Sequence, residues 1–507
     1  MKTRRDAERF FDARGGGLRE FHTMRFPLSS RAYPAVSLGA LVLAVLAPAV
    51  SAQAHAQAHA QPKAETVYVA RGGSDAAVGT RAAPFATIQH AVDALAAHAG
   101  GGTVLIRGGS YAQRVQIHGV DDVTVAAAPG EHAVLDGASL TVPDGRSAMV
   151  DIADSTGVTV TGLDITGYRT SAIAGMPIGV YVHGGDTRIT LSGLHVHDMG
   201  NDNGTLGSMD MNAHGIAAYG DSPARPITGL TIADNEVDHL RLGASESVVV
   251  NGNVQGWRIT GNRIHDDDNI GIDAIGYEPT LSGSYRYTEL NRARDGVISG
   301  NTVVDIKSEG NPAYWSDGAW CNCADGIYVD GGTRIDISGN TATADDIGVE
   351  VAAENPRGAA DHVTVTGNRI SESRYVGIAT GGYCDGEEDC GGVQTGRSFD
   401  NTFTGNTLRE NNTDDDGSPQ FLIQYHEQDN RITGNTICAT GGQSLLLGTV
   451  PRSTSGTGDV VSGNTYTAAA DAATAQWGWS GVTYTGFAAY RTATGRDAGS
   501  VYHDGAC

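Results

Sequence analysis

The sequence predicts an all-β chain wound into a parallel β-helix, and three observations carry that prediction. One line recurs down the chain: Ile178-Gly-Val-Tyr-Val-His183, His214-Gly-Ile-Ala-Ala-Tyr219, Ile270-Gly-Ile-Asp-Ala-Ile275, Asp325-Gly-Ile-Tyr-Val-Asp330, Ile347-Gly-Val-Glu-Val-Ala352 and Val376-Gly-Ile-Ala-Thr-Gly381. A second line interleaves with it and closes on Asn235, Asn262, Asn301, Asn340, Asn368, Asn406, Asn435 and Asn464, usually as Thr/Ser-Gly-Asn. The third observation is compositional. Seventy glycines and 6% aromatic residues suit many tight corners better than a thick globular core. Units that repeat about every 28 residues, too short to bury a core alone, stack into a solenoid.

The elements follow in chain order. Residues 1–56 read as a secretory signal peptide: an apolar run from Ala35 to Val50 follows Arg25 and Arg31, and small residues from Ala52 to Ala56 offer the cleavage site. The run is too short for a comfortable membrane span, and its nearness to Met24 makes that residue a candidate start. Residues 57–64 read as a linker, and the β-helix is expected over 65–507. Its N-terminal cap, 65–111, contains an amphipathic helix from Ala86 to His98 that Gly100-Gly-Gly102 stops. Gly-[Ile/Val]-x-[Val/Ala]-x then alternates with period two over short β-branched runs, which is a strand pattern. Runs such as Val363-Thr-Val-Thr-Gly-Asn368 add a second strand per coil. Stacked parallel strands pair each backbone group with the coils on either side and share an Ile/Val interior. The repeated Asn is expected at a left-handed corner, with its amides bonded along the stack. A C-terminal cap is expected over 465–507.

Several of these segments carry a resemblance. The opening Val67-Tyr-Val-Ala-Arg-Gly-Gly-Ser-Asp, then Pro84-Phe-Ala-Thr-Ile-Gln-His-Ala-Val92 and Gly108-Gly-Ser-Tyr111, resembles the start of secreted right-handed β-helix proteins of the pectate-lyase-like superfamily. Phe487-Ala-Ala-Tyr490, Thr494-Gly-Arg-Asp497 and Ser500 are similar to the tail of many of them. The resemblance spans roughly residues 65 to 502. It implies a right-handed helix, and it leaves the reaction open among polysaccharide lyases, glycoside hydrolases, transferases and non-catalytic proteins.

Charge narrows the partner. With 58 Asp and Glu against 34 Lys and Arg, the net charge of -24 repels nucleic acid, anionic lipid and polyanions unless a cation intervenes. A neutral polysaccharide or oligosaccharide is the expected partner. No stretch of the mature chain is apolar enough to cross a bilayer, so the protein is expected to be secreted, extracellular or periplasmic. Six cysteines in an exported chain favour disulfides, with Cys384–Cys390 and Cys438–Cys507 the first pairs to try. The Cys321-Asn-Cys323 spacing suits loop stapling better than half a zinc site.

Alternation decides which side chains leave the cylinder. With the aliphatics inward, one outward column reads Tyr181, Ala217, Val249, Asp273, Tyr328, Glu350, Ala379, Gln424, and its neighbour reads His183, Tyr219, Asn251, Ile275, Asp330, Ala352, Gly381, His426. Asp273, Asp330 and Glu350 thus fall on three successive coils of one exposed face and are the candidate catalytic acids, with Asp325 in reserve. Tyr328, Asn251, Tyr219, His183, His214, Glu246, Gln424 and His426 are candidate substrate contacts. At about 4.8 Å per coil, Asp273 and Glu350 lie roughly 9 to 10 Å apart and Asp330 about 8 Å from each. That spacing leans towards inverting hydrolysis. Asn-to-Asn gaps of 27, 39, 39, 28, 38, 29 and 29 residues mark three coils with insertions: Tyr277 to Arg294, Glu309 to Cys323, and Cys384 to Arg397. The first two border the acids and bring Tyr285, Tyr287, Tyr314, Trp315 and Trp320, aromatic faces on which sugars stack.

A glycoside hydrolase or transferase using two carboxylates is the first expectation, and no cofactor is expected. A Ca²⁺-dependent lyase acting on a uronic-acid polymer is the alternative. The resemblance implies a Lys or Arg base for it, and Asp266, Asp267 and Asp268 are candidate Ca²⁺ ligands. The two columns contain no Lys or Arg, so Arg286, Arg292 or Arg357 would have to reach in from loops. A non-catalytic carbohydrate-binding or surface protein is the third reading. The sugar, internal or terminal cleavage, and self-association are left open by the sequence.

Overall fold

In the computed structural model, the described residues are 65–507 except 98–99, 317, 386–393, 440–444, 451–454 and 470–472. The expected signal peptide and linker, and the pairing of Cys384 with Cys390, lie outside them. No helix of the described residues is long and apolar enough to cross a membrane.

The chain is a right-handed parallel β-helix. Each coil contributes a strand to each of three long sheets, which hold 18, 13 and 13 strands among the described residues. In one coil the chain runs from Gly175–His183 in the second sheet through Thr190–Ser192 in the first to His195–His197 in the third, and His214–Gly220 then returns to the second. Registers are parallel from coil to coil: Tyr181 lies opposite Ala217, Ala217 opposite Val249, and Val249 opposite Asp273. The shared interior is Ile and Val. Val180, Val182, Ile216, Val248, Val250, Ile272, Ile327, Val329, Val349 and Val351 are all fully buried in one continuous core.

The recurrent glycine has a steric reason. Ile178 faces outward in a cluster with Tyr181 and Tyr219, whereas Val180 faces the core, so the strand bends between them at Gly179. A Cβ on Gly179 would lie 2.5 Å from the Gly215 carbonyl oxygen and 2.6 Å from Val196 Cγ1. On Gly348 it would lie 2.2 Å from Ile370 Cγ2. Stacked bends leave no room for a side chain.

The asparagine line is an amide ladder inside the corner between the first and third sheets. Asn301 donates its backbone N–H and its Nδ2 to Asn340 Oδ1 at 2.9 and 3.0 Å, and Asn340 repeats the pattern onto Asn368. Each Nδ2 also donates to a carbonyl, as Asn340 does to Ile298. At the C-terminal end Asn464 donates to Ser500 Oγ and Asp497 Oδ1. The left-handed residue of the motif is the preceding glycine, for example Gly339 at φ 63 and Gly367 at φ 64, and not the asparagine. This corrects the corner geometry expected of Asn. An Asn340→Ala substitution removes the partner of two buried donors, Asn301 N–H and Nδ2, and of the Ile298 carbonyl, so it is expected to lower unfolding stability by about 3 kcal/mol. A urea titration that gives the wild-type midpoint would show that the ladder contributes nothing.

The ends are covered. Helix Ile88–Ala96 buries Ile88, Ala91, Val92 and Leu95, and Thr87 caps it by accepting from His90 N–H. Helix Phe487–Thr494 ends at Gly495 in a left-handed conformation and lays Phe487 and Tyr490 against Trp477. Disulfides join Cys438 to Cys507 and Cys321 to Cys323.

Candidate functional site

Three outward columns form the face of the second sheet. The bend at each glycine, or at Ser247 in one coil, turns the preceding residue outward, so His214, Glu246, Ile270, Asp325 and Ile347 form an entry column. The hydrogen bonds from Ser247 N to Ile270 O and from Gly271 N to Asp325 O fix its register. The middle column carries Asp273, Tyr328, Glu350 and Ala379 in register. The far column carries Tyr219, Asn251, Ile275, Asp330, Ala352 and Gly381.

The sequence columns are thus recovered as far as Gly381 and then slip. Ala379 lies opposite Leu422, which moves Gln424 into the far column beside Gly381 and takes His426 off the face, to a corner at φ 54. Strand Pro419–Ile423 lacks the glycine that marks register in its neighbours, and two residues were misaligned for that reason.

The face is not bare. Asp273, Asp330, Glu350 and Glu246 are 2%, 5%, 0% and 8% exposed, and Asp325 is buried, whereas a solvated face was expected. Burial is the largest influence on the protons of Asp273, Asp330 and Glu246. Glu246 is pushed up to about 8, first by burial and then by the charges of Glu278 and Glu354. Asp273 is raised well above the carboxylate range by burial, then by Glu246, Asp330 and Glu354. Asp330 is raised well above it by burial and by Glu354, although the Glu354 N–H, 2.8 Å from Asp330 Oδ1, partly opposes this. Asp273 Oδ1 accepts no hydrogen bond.

Glu350 sits differently. Its Oε1 accepts from Tyr383 Oη at 3.0 Å and from Gln424 Nε2 at 2.5 Å, and Tyr383 Oη is 2.6 Å from Tyr328 Oη. Two donors hold one carboxylate oxygen while Oε2 accepts nothing. Glu354 is exposed and Glu278 half-buried, so this pair forms the solvent edge of the acid group.

Of four further residues that join these acids, only Tyr314 was anticipated, as an insertion aromatic. Glu278 and Glu354 follow the ends of their strands, outside the alternating columns, and the only available signal was an acid directly at a strand exit. Tyr383 immediately precedes the third insertion. Tyr314 is the insertion aromatic that reaches the site: its Oη accepts from Asn269 Nδ2 at 3.1 Å, and Glu354, Glu246 and Asp325 all act on it.

The remaining predicted contacts divide. Tyr219 Oη lies 3.2 Å from His214 Nε2, under the Arg146 guanidinium. Burial holds His214 down to about 3, so it is neutral. Asn251 accepts from Thr280 Oγ1 in the first insertion. His183 is held by Asp151 at 3.0 Å, several coils from the acids. Trp315 and Trp320 pair across a short hairpin with their rings packed on each other at 4.6 Å. Asp266, Asp267 and Asp268 each have a different hydrogen-bond partner. Asp266 pairs with His265, Asp267 accepts from Ser247 Oγ and Leu240 N, and Asp268 accepts from Leu242 N. Carboxylates at this corner are taken up by backbone donors of the preceding coil.

No family model matches the chain. Among solved structures it is similar in fold to the A-module of the Azotobacter vinelandii mannuronan C-5 epimerase AlgE6, at 18% identity and a TM-score of 0.48 over 82% of this chain and 94% of that one. It is also similar to a GH136 lacto-N-biosidase from Eubacterium ramulus, at 13% identity and a TM-score of 0.45 over 87% of this chain and 67% of that one. Pectate lyase Pel9A matches at 18% identity with a TM-score of 0.40, over 62% of this chain and 74% of that one. These are parallel β-helix proteins of the pectate-lyase-like superfamily. A sequence relative lies nearer: with 33% identity over 442 residues, 86% of this chain and 87% of that protein, the chain belongs to the family of the uncharacterized protein YwoF of Bacillus subtilis.

Proposed function

We propose that the protein is an exported carbohydrate-active enzyme, a glycoside hydrolase or transferase that acts on a neutral or weakly charged glycan with inversion. One observation carries this reading. Asp273, raised well above the carboxylate range, shares a column with Glu350, two coils away, and Tyr328 stands between them.

Asp273 is the general acid, because a carboxyl that keeps its proton near neutral pH can protonate a leaving oxygen. Glu350, oriented by Tyr383 and Gln424, is the base that draws a proton from water. Two coils separate their backbones by roughly 9 to 10 Å. Side-chain lean brings this into the range of about 6.5 to 9.5 Å that leaves room for water on the far side of a sugar. Asp330 stabilises the Asp273 proton by its nearness, and Glu278 and Glu354 line the approach.

The lyase alternative needs a cationic base at the face. Arg292 is committed to the carbonyls of Gly331, Gly332 and Ala359 and to Asp361. Arg286 Nε donates to Tyr277 O, Arg357 lies over the Tyr287 ring, and Lys307 pairs with Asp305.

Incubating the purified chain with a panel of neutral and uronic-acid polysaccharides tests the proposal. New reducing ends without ultraviolet gain are expected on a neutral glycan. Ultraviolet absorbance from an unsaturated product would replace the hydrolase with a lyase, and retained binding with neither signal would make the protein a binding module.

A further inference from the structure

On a different sheet, the outward face of the early coils carries histidines and carboxylates in two adjoining columns. In strand His195–His197, Val196 points into the core, so both histidines project to the same side. His195 lies opposite Asp164 on one coil and Glu236 on the next, and His197 lies opposite Asp238, which lies opposite His265. Four successive coils thus gather Asp164, His195, His197, Glu236, Asp238 and His265. Further along, the same columns carry Thr302, Val304, Thr341 and Thr343. The chemistry is confined to one patch.

Within this patch, Asp164, His195 and His197 bring two imidazoles to one carboxylate. His197 Nε2 is 3.0 Å from Asp164 Oδ1, His195 Nδ1 is 4.0 Å from Asp164 Oδ2, and the two imidazoles stack at 4.0 Å between centroids. One ligand atom from each of the three can be chosen so that all lie within 4.8 Å of one another. Ligands about 2.0 to 2.2 Å from a tetrahedral ion are about 3.4 Å apart, so small side-chain rotations suffice to close on one. His132 Nε2 reaches Asp164 Oδ2 at 3.0 Å from an exposed position, outside the trio, and becomes a fourth donor on rotation of its side chain. Side-chain exposures of 39%, 19% and 14% for His195, His197 and Asp164 leave the site open to an arriving ion.

Without a metal, these groups form a histidine–aspartate hydrogen-bond network, in which His195 also reaches Asp238 at 2.7 Å. What favours a ligand is the donor set. Two imidazoles and a carboxylate with open positions match first-row dications of the zinc class, whereas Ca²⁺ and Mg²⁺ seek oxygen alone. A net charge of -24 also raises the local concentration of cations. We infer that Asp164, His195 and His197, joined by His132, form a surface site for a zinc-class divalent cation, on a sheet separate from the acid-lined face.

The test is calorimetric titration of the full chain, free of any histidine tag, with Zn²⁺, alongside the visible spectrum with Co²⁺. Saturable Zn²⁺ binding and a Co²⁺ absorption band that Zn²⁺ displaces are expected. The His195→Ala/His197→Ala double variant should bind at least about tenfold more weakly and lose the band, and Ca²⁺ should not compete. Both side chains point away from the core, and a wild-type circular dichroism spectrum and melting point without metal verify folding. If the double variant misfolds, the single His197→Gln and His132→Ala variants carry the same expectation. Absence of Zn²⁺ binding in the wild type overturns the inference. So does full binding in these variants, and a loss confined to His118→Ala would place the ion at a second trio, His118, Asp151 and His183.

Discussion

Replacing Asp273 by asparagine is expected to lower kcat on a cleaved glycan by about 10²- to 10⁴-fold while changing KM little, because the substitution preserves shape and removes the proton that general-acid catalysis transfers. The loss should shrink on a glycoside with an activated aryl leaving group, which departs without protonation. Glu350→Gln removes the acceptor that Tyr383 and Gln424 orient, and its loss should be similar on both substrates, since water must be activated in either case. The contrast between the two variants assigns acid and base. Asp330→Asn removes the neighbour that helps hold the proton on Asp273, so it should shift the alkaline limb of the pH–rate profile to lower pH as well as slow turnover. Wild-type kcat in Asp273→Asn would end the acid assignment, and equal losses on the two substrates would move that role to another carboxylate.

Stability should fall as pH rises, and the buried acids are the cause. Glu246 is raised from its ordinary 4.5 to about 8, and Asp273 and Asp330 are raised well above theirs, all chiefly by burial. Between those values the folded chain holds protons that the unfolded chain has released. A raised carboxylate therefore contributes full stability below about pH 4 and loses it as pH climbs through the folded value. For Glu246 the window runs from 4.5 to about 8. At about 1.4 kcal/mol per unit, the loss across it is about 5 kcal/mol. His183 is also raised, first by its hydrogen bond to Asp151, so the informative quantity is the difference between chains. The gap in melting temperature between Glu246→Gln and wild type should widen in the variant's favour from pH 5 to pH 8. A gap independent of pH would mean that Glu246 is ionised and solvated in the fold.

Much of this molecule was legible in its residues. Alternation of period two sorted Ile and Val inward and put Asp273, Glu350 and Asp330 on one outward face, as found. The asparagine line predicted a ladder, although its glycine, and not the amide residue, takes the left-handed conformation. Where the glycine marker was missing, at Pro419–Ile423, the columns slipped and misplaced Gln424 and His426. The candidate Ca²⁺ ligands Asp266, Asp267 and Asp268 meet different partners, the His265 ring for Asp266 and backbone donors for Asp267 and Asp268, because adjacency in sequence says nothing about which donor each carboxylate meets.

By itself, then, the sequence determined the coil, its facing and its columns, because strand alternation and coil spacing are set by residues next to one another. Only the tertiary structure decided that the acid face lies under cover, that Glu278, Glu354, Tyr314 and Tyr383 close around it, and that burial raises Asp273, Asp330 and Glu246 above the ordinary carboxylate range. Those outcomes depend on where insertions from separate coils come to rest, and desolvation is a property of the assembled surface that no local pattern encodes.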